Sequence, residues 1–188
     1  MAVATRKITD DEFMQLPETN HYVELIDGAI YEMPSPDLEH QTALSDLHFW
    51  LKTEVKTRGG KVYFVPMDVK FDETNTPQPD IFWIAPDGKC RPNAKHKLEG
   101  APDFIAEVLS PSTARRDRRQ KYDLYEKYGV REYWLVDPSI KLIEVYSLQA
   151  GKFARVGAYG MEDDIASPLW GNVSVRAIFP DVDVTMER

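Results

Sequence analysis

Two periods of hydrophobic and polar positions run along the chain, and the stretch from Asp103 to Pro138 contains both. DFIAEVL carries apolar residues on both faces of an extended segment, which predicts a strand buried on both sides. From about Ala114 to Tyr128 the apolar positions recur at helical spacing, and Gly129 ends that pattern. VREYWLVDP is then a second apolar strand. This stretch predicts a strand, a helix and a further strand, around which the rest of the chain is organised.

The chain before this stretch predicts two helices and a hairpin. Thr9 can cap a short helix over DDEFMQL, and Asp37 can cap a longer helix that runs to about Lys56 and stops at a glycine pair. Between them, HYVELIDGAIYEM has two alternating runs around Asp27 and Gly28, residues that accept the positive φ angles of a tight turn. We therefore expect an N-terminal β-hairpin ahead of the long helix.

Further strands are predicted on both sides of the central stretch. KVYFVPMDVKF and IFWIA precede it as strands, and DGKCRPNAKHKLEGAP is typical of a loop. KLIEVYSLQ and KFARVGAYG follow it as paired strands. GNVSVRAIFPD favours a last short strand and a helical turn anchored by Phe179. Together these segments complete a sheet around the central stretch.

Length and composition favour one domain spanning residues 1–188. A chain of 188 residues with 43% apolar and 11% aromatic residues can fill a single core without disulfides. The lone Cys90 allows no intrachain disulfide, and the histidines lack zinc-site spacing, which fits a reducing cytoplasm. No apolar run approaches the roughly 18 to 20 residues that span a bilayer, so no membrane partner is expected.

The net charge of -8 disfavours a protein that coats nucleic acid through general positive charge. A local basic patch is nevertheless present, because basic residues outnumber acidic ones between Thr113 and Arg131. Four arginines in that segment are candidates for phosphate contacts: Arg115, Arg116, Arg118 and Arg119. The alternative is that they form an ordinary solvated helix face.

Glu107 is the one charged residue within the apolar run FIAEVL. A buried charge must be paired, hydrogen-bonded, protonated or bound to a metal, because isolated burial costs several kcal/mol or more. It is therefore either a functional carboxylate or a structural one paired with an arginine downstream.

Asp80 and Lys121 are the other two candidates for chemistry. Asp80 stands between prolines and the buried run IFWIA, so the backbone fixes its position; the alternative is an ordinary turn aspartate. Lys121 shares the sheet-facing side of its helix with Leu124 and Tyr125. The alternative for this lysine is an i,i+4 ion pair with Asp117, worth only ~0.3 to 0.5 kcal/mol on an exposed face.

Asp80, Glu107 and Lys121 together suit phosphodiester cleavage. Two carboxylates bind a hard cation such as Mg²⁺, which polarises a phosphate and lowers the pKa of an attacking water. A lysine nearby can orient that water or stabilise the developing charge.

At these residues the sequence resembles the PD-(D/E)XK nuclease superfamily and, more closely, its Uma2 family of restriction-endonuclease-like proteins. The resemblance rests on VELIDG, on Pro79-Asp80, on APDFIAEVLSPST, on the helix with Lys121 and Tyr125, and on EYWLVDP. It covers roughly residues 22–146. A bare Pro-Asp pair has little specificity, whereas this ordered series is specific in combination.

The resemblance implies a restriction-endonuclease-like α/β fold, in which a central mixed β-sheet is flanked by helices and extended here by the N-terminal hairpin. It also implies that Asp80, Glu107 and the backbone carbonyl of Val108 are metal ligands. The implied cofactor is Mg²⁺, with Mn²⁺ as an alternative ion.

One departure concerns the lysine, which in the superfamily stands two residues after the glutamate, where this chain has Leu109. Members of the family move it to the following helix, which makes Lys121 the candidate. Four further positions match the family and are expected to support the site: Glu24, His40, Gln120 and Tyr125. Taken alone, Glu24 could equally be a half-buried strand residue and His40 a histidine at the edge of the core.

Three functions follow as hypotheses. The first is a Mg²⁺-dependent endonuclease that hydrolyses DNA, expected as a homodimer because cutting both strands requires two sites. The second is a nuclease-fold protein that binds nucleic acid or a protein partner without cutting. The third is a metal hydrolase of small phosphoesters. The sequence contains no recognisable target-reading motif such as a helix-turn-helix or zinc finger, so it predicts no sequence specificity.

Overall fold

The structure is a computed structural model that describes residues 6–17, 21–94 and 97–180. Its strands, in chain order, are β1 (Tyr22–Ile26), β2 (Ala29–Met33), β3 (Lys61–Phe64), β4 (Val69–Lys70), β5 (Ile81–Ile84), β6 (Arg91–Pro92), β7 (Leu98–Glu99), β8 (Phe104–Val108), β9 (Glu132–Asp137), β10 (Leu142–Gln149), β11 (Lys152–Tyr159), β12 (Asp164–Ser167) and β13 (Gly171–Ser174). Its helices are α1 (Asp10–Phe13), α2 (Leu38–Arg58), α3 (Ala114–Arg116) and α4 (Tyr122–Tyr128), with a π-helical turn (Asp117–Lys121) joining α3 to α4 and a 3-10 turn at Val175–Ala177. We call the continuous helix of residues 114–128 the basic helix.

A mixed sheet of six strands, in the order β11-β10-β9-β8-β5-β3, forms the centre of the described chain. β8 and β9 are parallel and are connected through the basic helix, whereas the other neighbouring pairs are antiparallel. A parallel pair needs such a crossover, usually a helix. The expected central mixed sheet flanked by helices is therefore confirmed.

The register of β5 against β8 positions the first two candidate residues. Ile81 lies opposite Ala106 and Phe82 lies opposite Ile105 in an antiparallel pair. The start of β5 therefore lies beside the end of β8, and residues 80 and 107 are brought to the same edge of the sheet.

Apolar residues cover both faces of this sheet. On one face, Trp50 of α2 stacks on Trp134 with ring centroids 5.4 Å apart. On the other face, Tyr125 of the basic helix packs against Tyr133 with centroids 5.2 Å apart. All five residues of β8 are buried, Glu107 included, as its apolar pattern predicts. Burial of each large apolar side chain contributes roughly 1.5 to 3 kcal/mol.

Local signals place the elements that carry the site. Thr9 caps α1 in a reciprocal capping box, and the Asp37 side chain accepts a hydrogen bond from the His40 backbone N–H at the start of α2. Asp27 and Gly28 have φ angles of 52° and 73°, so the predicted hairpin turn between β1 and β2 is confirmed.

Several boundaries differ from the predictions. KVYFVPMDVKF forms two strands, β3 and β4, because Pro66 has no N–H with which to continue a ladder. The segment predicted as a loop contains the short strands β6 and β7. β12, which the pattern did not predict, pairs with β13. α1 ends at Phe13, earlier than predicted, and α2 continues to Arg58.

Thr113 occupies the N-cap position of α3, but its side chain makes no capping hydrogen bond. Asp181, at the end of the segment predicted as the last strand and helical turn, lies outside the described residues. Within the ranges given above, no helix is both long enough and apolar enough to cross a membrane.

Candidate active site

Two carboxylates, Asp80 and Glu107, meet where β5 begins and β8 ends. The backbone N–H of Asp80 donates to Glu107 Oε2 at 3.3 Å, and the backbone N–H of Val108 donates to Asp80 Oδ2 at 2.8 Å. Asp80 is 8% exposed and Glu107 is 1% exposed. The structure therefore brings together the two side chains that the sequence predicts as metal ligands.

The backbone carbonyl of Val108 is directed toward the same place. In a strand, the N–H and C=O of one residue point toward the same neighbouring strand. Because the Val108 N–H donates to Asp80, its carbonyl oxygen points to the Asp80 edge of β8. The predicted third oxygen ligand thus lies on the side of the two carboxylates.

Lys121 reaches Glu107 from the basic helix. Its Nζ lies 3.1 Å from Glu107 Oε1, 3.2 Å from Glu24 Oε2 and 3.7 Å from Asp117 Oδ1. Burial favours the neutral amine, but these carboxylates outweigh burial and raise the pKa of Lys121 well above its usual value. Lys121 is 0% exposed, so it is an enclosed ammonium with three acidic neighbours and not an exposed i,i+4 pair.

Tyr125 completes the surroundings of Glu107. Its hydroxyl donates to Glu107 Oε1 at 2.6 Å. Burial raises the pKa of Glu107 well above its usual value, while the Lys121 ammonium and the Tyr125 hydroxyl act in the opposite direction. Two donors therefore hold Oε1, and Oε2 faces the backbone of Asp80.

Glu24 of β1 is fully buried and connects the hairpin to the site through its contact with Lys121. Its Oε1 accepts a hydrogen bond from Arg116 Nη1 at 2.8 Å. The Arg116 guanidinium also lies over the ring of Tyr31, 4.3 Å from its centroid, and Gln120 Nε2 donates to the Tyr31 hydroxyl at 2.8 Å. Gln120 therefore contacts the hairpin through Tyr31, the residue on which the Arg116 guanidinium packs.

His40 in the first turn of α2 contacts Asp80. Its Nε2 lies 3.3 Å from Asp80 Oδ2. Burial lowers the pKa of His40, but the hydrogen bond and charge of Asp80 outweigh burial, so the net pKa is raised. Its Nδ1 is buried and has no hydrogen-bond partner among the described residues. His40 is therefore a neighbour of the site and not a satisfied histidine at the edge of the core.

Asp117 belongs to the same cluster, although the sequence suggested it only as an ion-pair partner of Lys121. It is 2% exposed, and burial raises its pKa to about 6 against the opposing effect of Lys121. Its position on the sheet-facing side of the helix could have identified it from the sequence. A buried acidic residue there needs a partner or a bound ion, as Glu107 does. The π-helical turn spans both Asp117 and Lys121, and such turns are frequent at functional sites.

A cavity of about 740 Å³ opens onto these carboxylates. Its walls come from the hairpin, the first turns of α2, the end of β3 and the turn that precedes the basic helix. In the part of the chain that the structure describes, no lysine or arginine lines it. Four acidic residues do line it: Asp37, Asp80, Glu107 and Asp117. The polar lining is therefore rich in carboxyl groups, and its basic side chains are the imidazoles of His40 and His48.

The four arginines predicted to contact phosphates lie outside this lining. Arg116 is held by Glu24, and Arg118, though exposed, is paired with Glu144. Arg115 and Arg119 are exposed on the basic helix. A phosphate role stays a prediction for these two, whereas Arg116 and Arg118 already have carboxylate partners.

The residues present fit a divalent cation of the magnesium type. Four carboxylates, Glu24, Asp80, Glu107 and Asp117, share a buried cluster with two permanent cations, Arg116 and Lys121. With all four carboxylates ionised, the cluster would carry an excess of negative charge, and burial accordingly raises the pKa of Glu107 and of Asp117. A divalent cation would offset that excess. Its free donors are oxygens, the ligands that Mg²⁺ prefers. Among the described residues, no three acidic, histidine or cysteine side chains already converge as a complete metal cluster, so backbone oxygen or water must supply part of any coordination.

The described chain is thus a mixed α/β protein in which acidic residues meet at the junction of two central strands. Its fold matches the crystal structure of a putative nuclease of the DUF820 family from Anabaena variabilis, with a TM-score of 0.74. That match covers 92% of this chain and 97% of the other chain at 24% sequence identity, and it shows the shared fold.

The chain belongs to the Uma2 family, described as "Putative restriction endonuclease", whose pattern it matches over residues 10–176. It is also 31% identical over 150 residues to the uncharacterized protein sll1609 of Synechocystis sp., covering 78% of this chain and 84% of that protein. The predicted family membership is therefore confirmed, and the family supports a nuclease.

Proposed function

We propose that this protein is a Mg²⁺-dependent endonuclease that hydrolyses DNA phosphodiester bonds, with Mn²⁺ as an alternative ion. The observation that carries the proposal is the excess of buried carboxylates at Asp80 and Glu107, where the cavity reaches the sheet. Burying two neighbouring carboxylates beside a cavity does not stabilise a core, and a single ion pair does not account for both of them. Such a cluster in a cleft is typical of a functional site.

The proposed metal ligands are Asp80, Glu107 and the carbonyl oxygen of Val108. A divalent cation held there would polarise the phosphate and lower the pKa of the attacking water. The Val108 N–H and His40 fix the Asp80 carboxylate from two directions, so its orientation is set before any ligand arrives.

Lys121 acts through Glu107 in this proposal. Its ammonium is enclosed and does not line the cavity, so the structure offers it no path to a phosphate. The ammonium instead opposes the effect of burial on the pKa of Glu107 and keeps that carboxylate oriented toward Asp80. In this way Lys121, on the basic helix, supplies beside Glu107 the positive charge that Leu109 cannot supply.

DNA is the proposed partner, and the exposed Arg115 and Arg119 are the proposed contacts to flanking phosphates. A homodimer would place two such sites on the two strands of a duplex. Both statements rest on the proposed reaction and on the basic composition of the helix.

DNA cleavage in Mg²⁺ or Mn²⁺ tests the proposal. Asp80→Asn and Glu107→Gln keep side-chain size but remove a charged ligand, and each is expected to lower the cleavage rate by on the order of a hundredfold or more. Asp164→Asn, an exposed aspartate on β12, is the matched control and is expected to cleave like the wild type. Undiminished cleavage in both site variants would sink the proposal.

The second candidate is a nuclease-fold protein that binds nucleic acid or a protein partner without cutting. The specific observation in its favour is the complete enclosure of Lys121, which leaves the cavity without any lysine or arginine among its described lining residues. Nucleic-acid binding by the wild type without cleavage in any divalent cation, and without metal binding, would select this candidate.

A further inference from the structure

The cavity beside the proposed metal ligands has an apolar, aromatic part that the proposed reaction does not use. Tyr22 of the hairpin, Leu44 and His48 of α2, and Phe64 at the end of β3 all line it. The rings of His48 and Phe64 lie 4.4 Å apart at 41° to each other. Tyr22 is 50% exposed and Phe64 is 48% exposed, so these two rings present free faces or edges.

Charge and shape decide what this part of the cavity can hold. A phosphate there would meet Asp37, Asp80 and Asp117, and the described lining residues offer only the imidazoles of His40 and His48, with no lysine or arginine, to balance it. An apolar, planar group meets no such penalty and gains contact with aromatic faces. Base–aromatic stacking contributes about 1.4 kcal/mol or more per base, roughly a tenfold change in affinity.

We propose that this aromatic wall binds an unpaired nucleobase adjacent to the phosphate that is cut. The proposal rests on the proposed nuclease function and adds its substrate class. A base inside a duplex cannot enter such a cavity unless it leaves the stack, and that step is easiest in single-stranded or mismatched DNA. The preferred substrate is therefore DNA with an unpaired nucleotide, and a fully paired duplex of the same sequence is the poorer ligand.

The test uses the full chain in Ca²⁺, with DNA carrying the fluorescent adenine analogue aminopurine at one position. Binding is measured for a single strand, for a duplex with that base mismatched and for a fully paired duplex. The variants are Phe64→Ala, Phe64→Tyr and Phe49→Ala. Phe49 is the matched control, because it is a 75% exposed phenylalanine that does not line the cavity.

The expected result is tighter binding of the single strand and the mismatched duplex than of the paired duplex, with a change in aminopurine fluorescence on binding. Phe64→Ala is expected to weaken single-strand binding by about tenfold and to leave paired-duplex binding unchanged. Phe64→Tyr retains a ring and should restore binding, and Phe49→Ala should behave like the wild type. Melting temperatures of all variants identify any loss that comes from unfolding.

Equal affinity for all three DNAs, together with an unchanged Phe64→Ala, would overturn the nucleobase site. If the protein nevertheless binds metal and cuts DNA, the nuclease proposal stands and only the nucleobase site is rejected. If Phe64-dependent aminopurine binding is found but no metal binds and nothing is cut, the base site stands and hydrolysis is rejected.

Discussion

Glu107 is tolerated inside an apolar strand because polar neighbours are arranged around its carboxyl group. Lys121 and Tyr125 both reach Oε1 from the basic helix, one turn apart, while Oε2 faces the backbone N–H of Asp80. The two oxygens therefore have different roles. One is fixed by the protein, and the other is left to face Asp80 and the cavity.

Removing the ammonium tests this arrangement. Lys121→Met leaves Glu24, Glu107 and Asp117 without their shared cation, and breaking a buried pair in this way is expected to lower the free energy of unfolding by about 3 to 5 kcal/mol. The measurement is urea unfolding in chelator. Lys127→Met is the control, because the Lys127 side chain is 64% exposed.

A second substitution separates charge from packing in that experiment. Glu24→Gln combined with Lys121→Met removes one negative and one positive charge, so the pair should recover part of the stability that Lys121→Met loses. A double variant no more stable than Lys121→Met, or a Lys121→Met variant as stable as wild type, would show that these charges do not support each other.

Asp117 predicts a pH dependence of stability. Its folded pKa of about 6 exceeds the ordinary value of 3.8, so the folded form binds the proton more tightly than the unfolded chain. The free energy of unfolding therefore falls as pH rises from about 4 to 6, and the penalty is complete above that range. Asp117→Asn should make this slope shallower, leaving the part that comes from the raised pKa of Glu107, and should stabilise the metal-free protein at pH 8 by about 1 to 3 kcal/mol.

Denaturant unfolding across that pH range, in chelator, is the measurement. Asp164→Asn provides the control, since its exposed carboxyl should leave the profile unchanged. Identical slopes for Asp117→Asn and wild type would contradict the burial of an ionised Asp117.

At the level of single residues, the sequence allowed Asp80, Glu107 and Lys121 to be brought together, because each breaks a local pattern. A carboxylate in an apolar strand and a lysine on a sheet-facing side both require a partner. The choice of partner was not predictable: Arg116 pairs with a hairpin residue distant in the sequence, and Lys121, expected to orient the attacking water or stabilise developing charge, is enclosed among three carboxylates. Such choices depend on three-dimensional packing that a linear pattern does not contain.

At the level of elements, the hairpin contributes to the candidate site. Glu24 bonds to Arg116, and Tyr31 contacts both Arg116 and Gln120 of the basic helix. Strand β1 and the basic helix therefore position Lys121 together. A two-stranded hairpin is marginal alone, so these side-chain bonds also hold it in place.

Arg116→Met tests that link. It removes the hydrogen bond to buried Glu24, an expected loss of about 1 to 3 kcal/mol, and should speed amide exchange in β1 and β2. Hydrogen exchange by mass spectrometry on residues 22–33 measures it. Arg119→Met, which alters an exposed arginine of the same helix, should leave that exchange unchanged, and equal protection in both variants would contradict the role assigned to Arg116.

Element boundaries were predictable where a residue acts on its own backbone. Thr9, Asp37 and the Asp27-Gly28 turn mark their elements through local hydrogen bonds or φ angles. The short strands β6 and β7 and the β12 strand have no such local marker, because they form only by pairing with segments placed by the rest of the fold.

At the scale of the whole molecule, the net negative charge of the chain is compatible with the proposed hydrolysis of DNA. The acidic residues that matter are gathered in one buried cluster at the cavity, and exposed arginines lie on the helix beside it. A divalent cation would neutralise the cluster before a phosphate approaches. Stability should therefore rise with divalent cation, because a ligand that binds the folded form alone stabilises it, by about 2.7 kcal/mol at a hundredfold excess over Kd.

The binding of Mn²⁺ by isothermal titration tests the central claim most directly. The wild type and Asp164→Asn are predicted to bind the ion with the same affinity. Asp80→Asn is predicted to bind it with an affinity lower by on the order of tenfold or more. No binding by the wild type, or equal affinity in all three proteins, would contradict a metal site at Asp80 and Glu107.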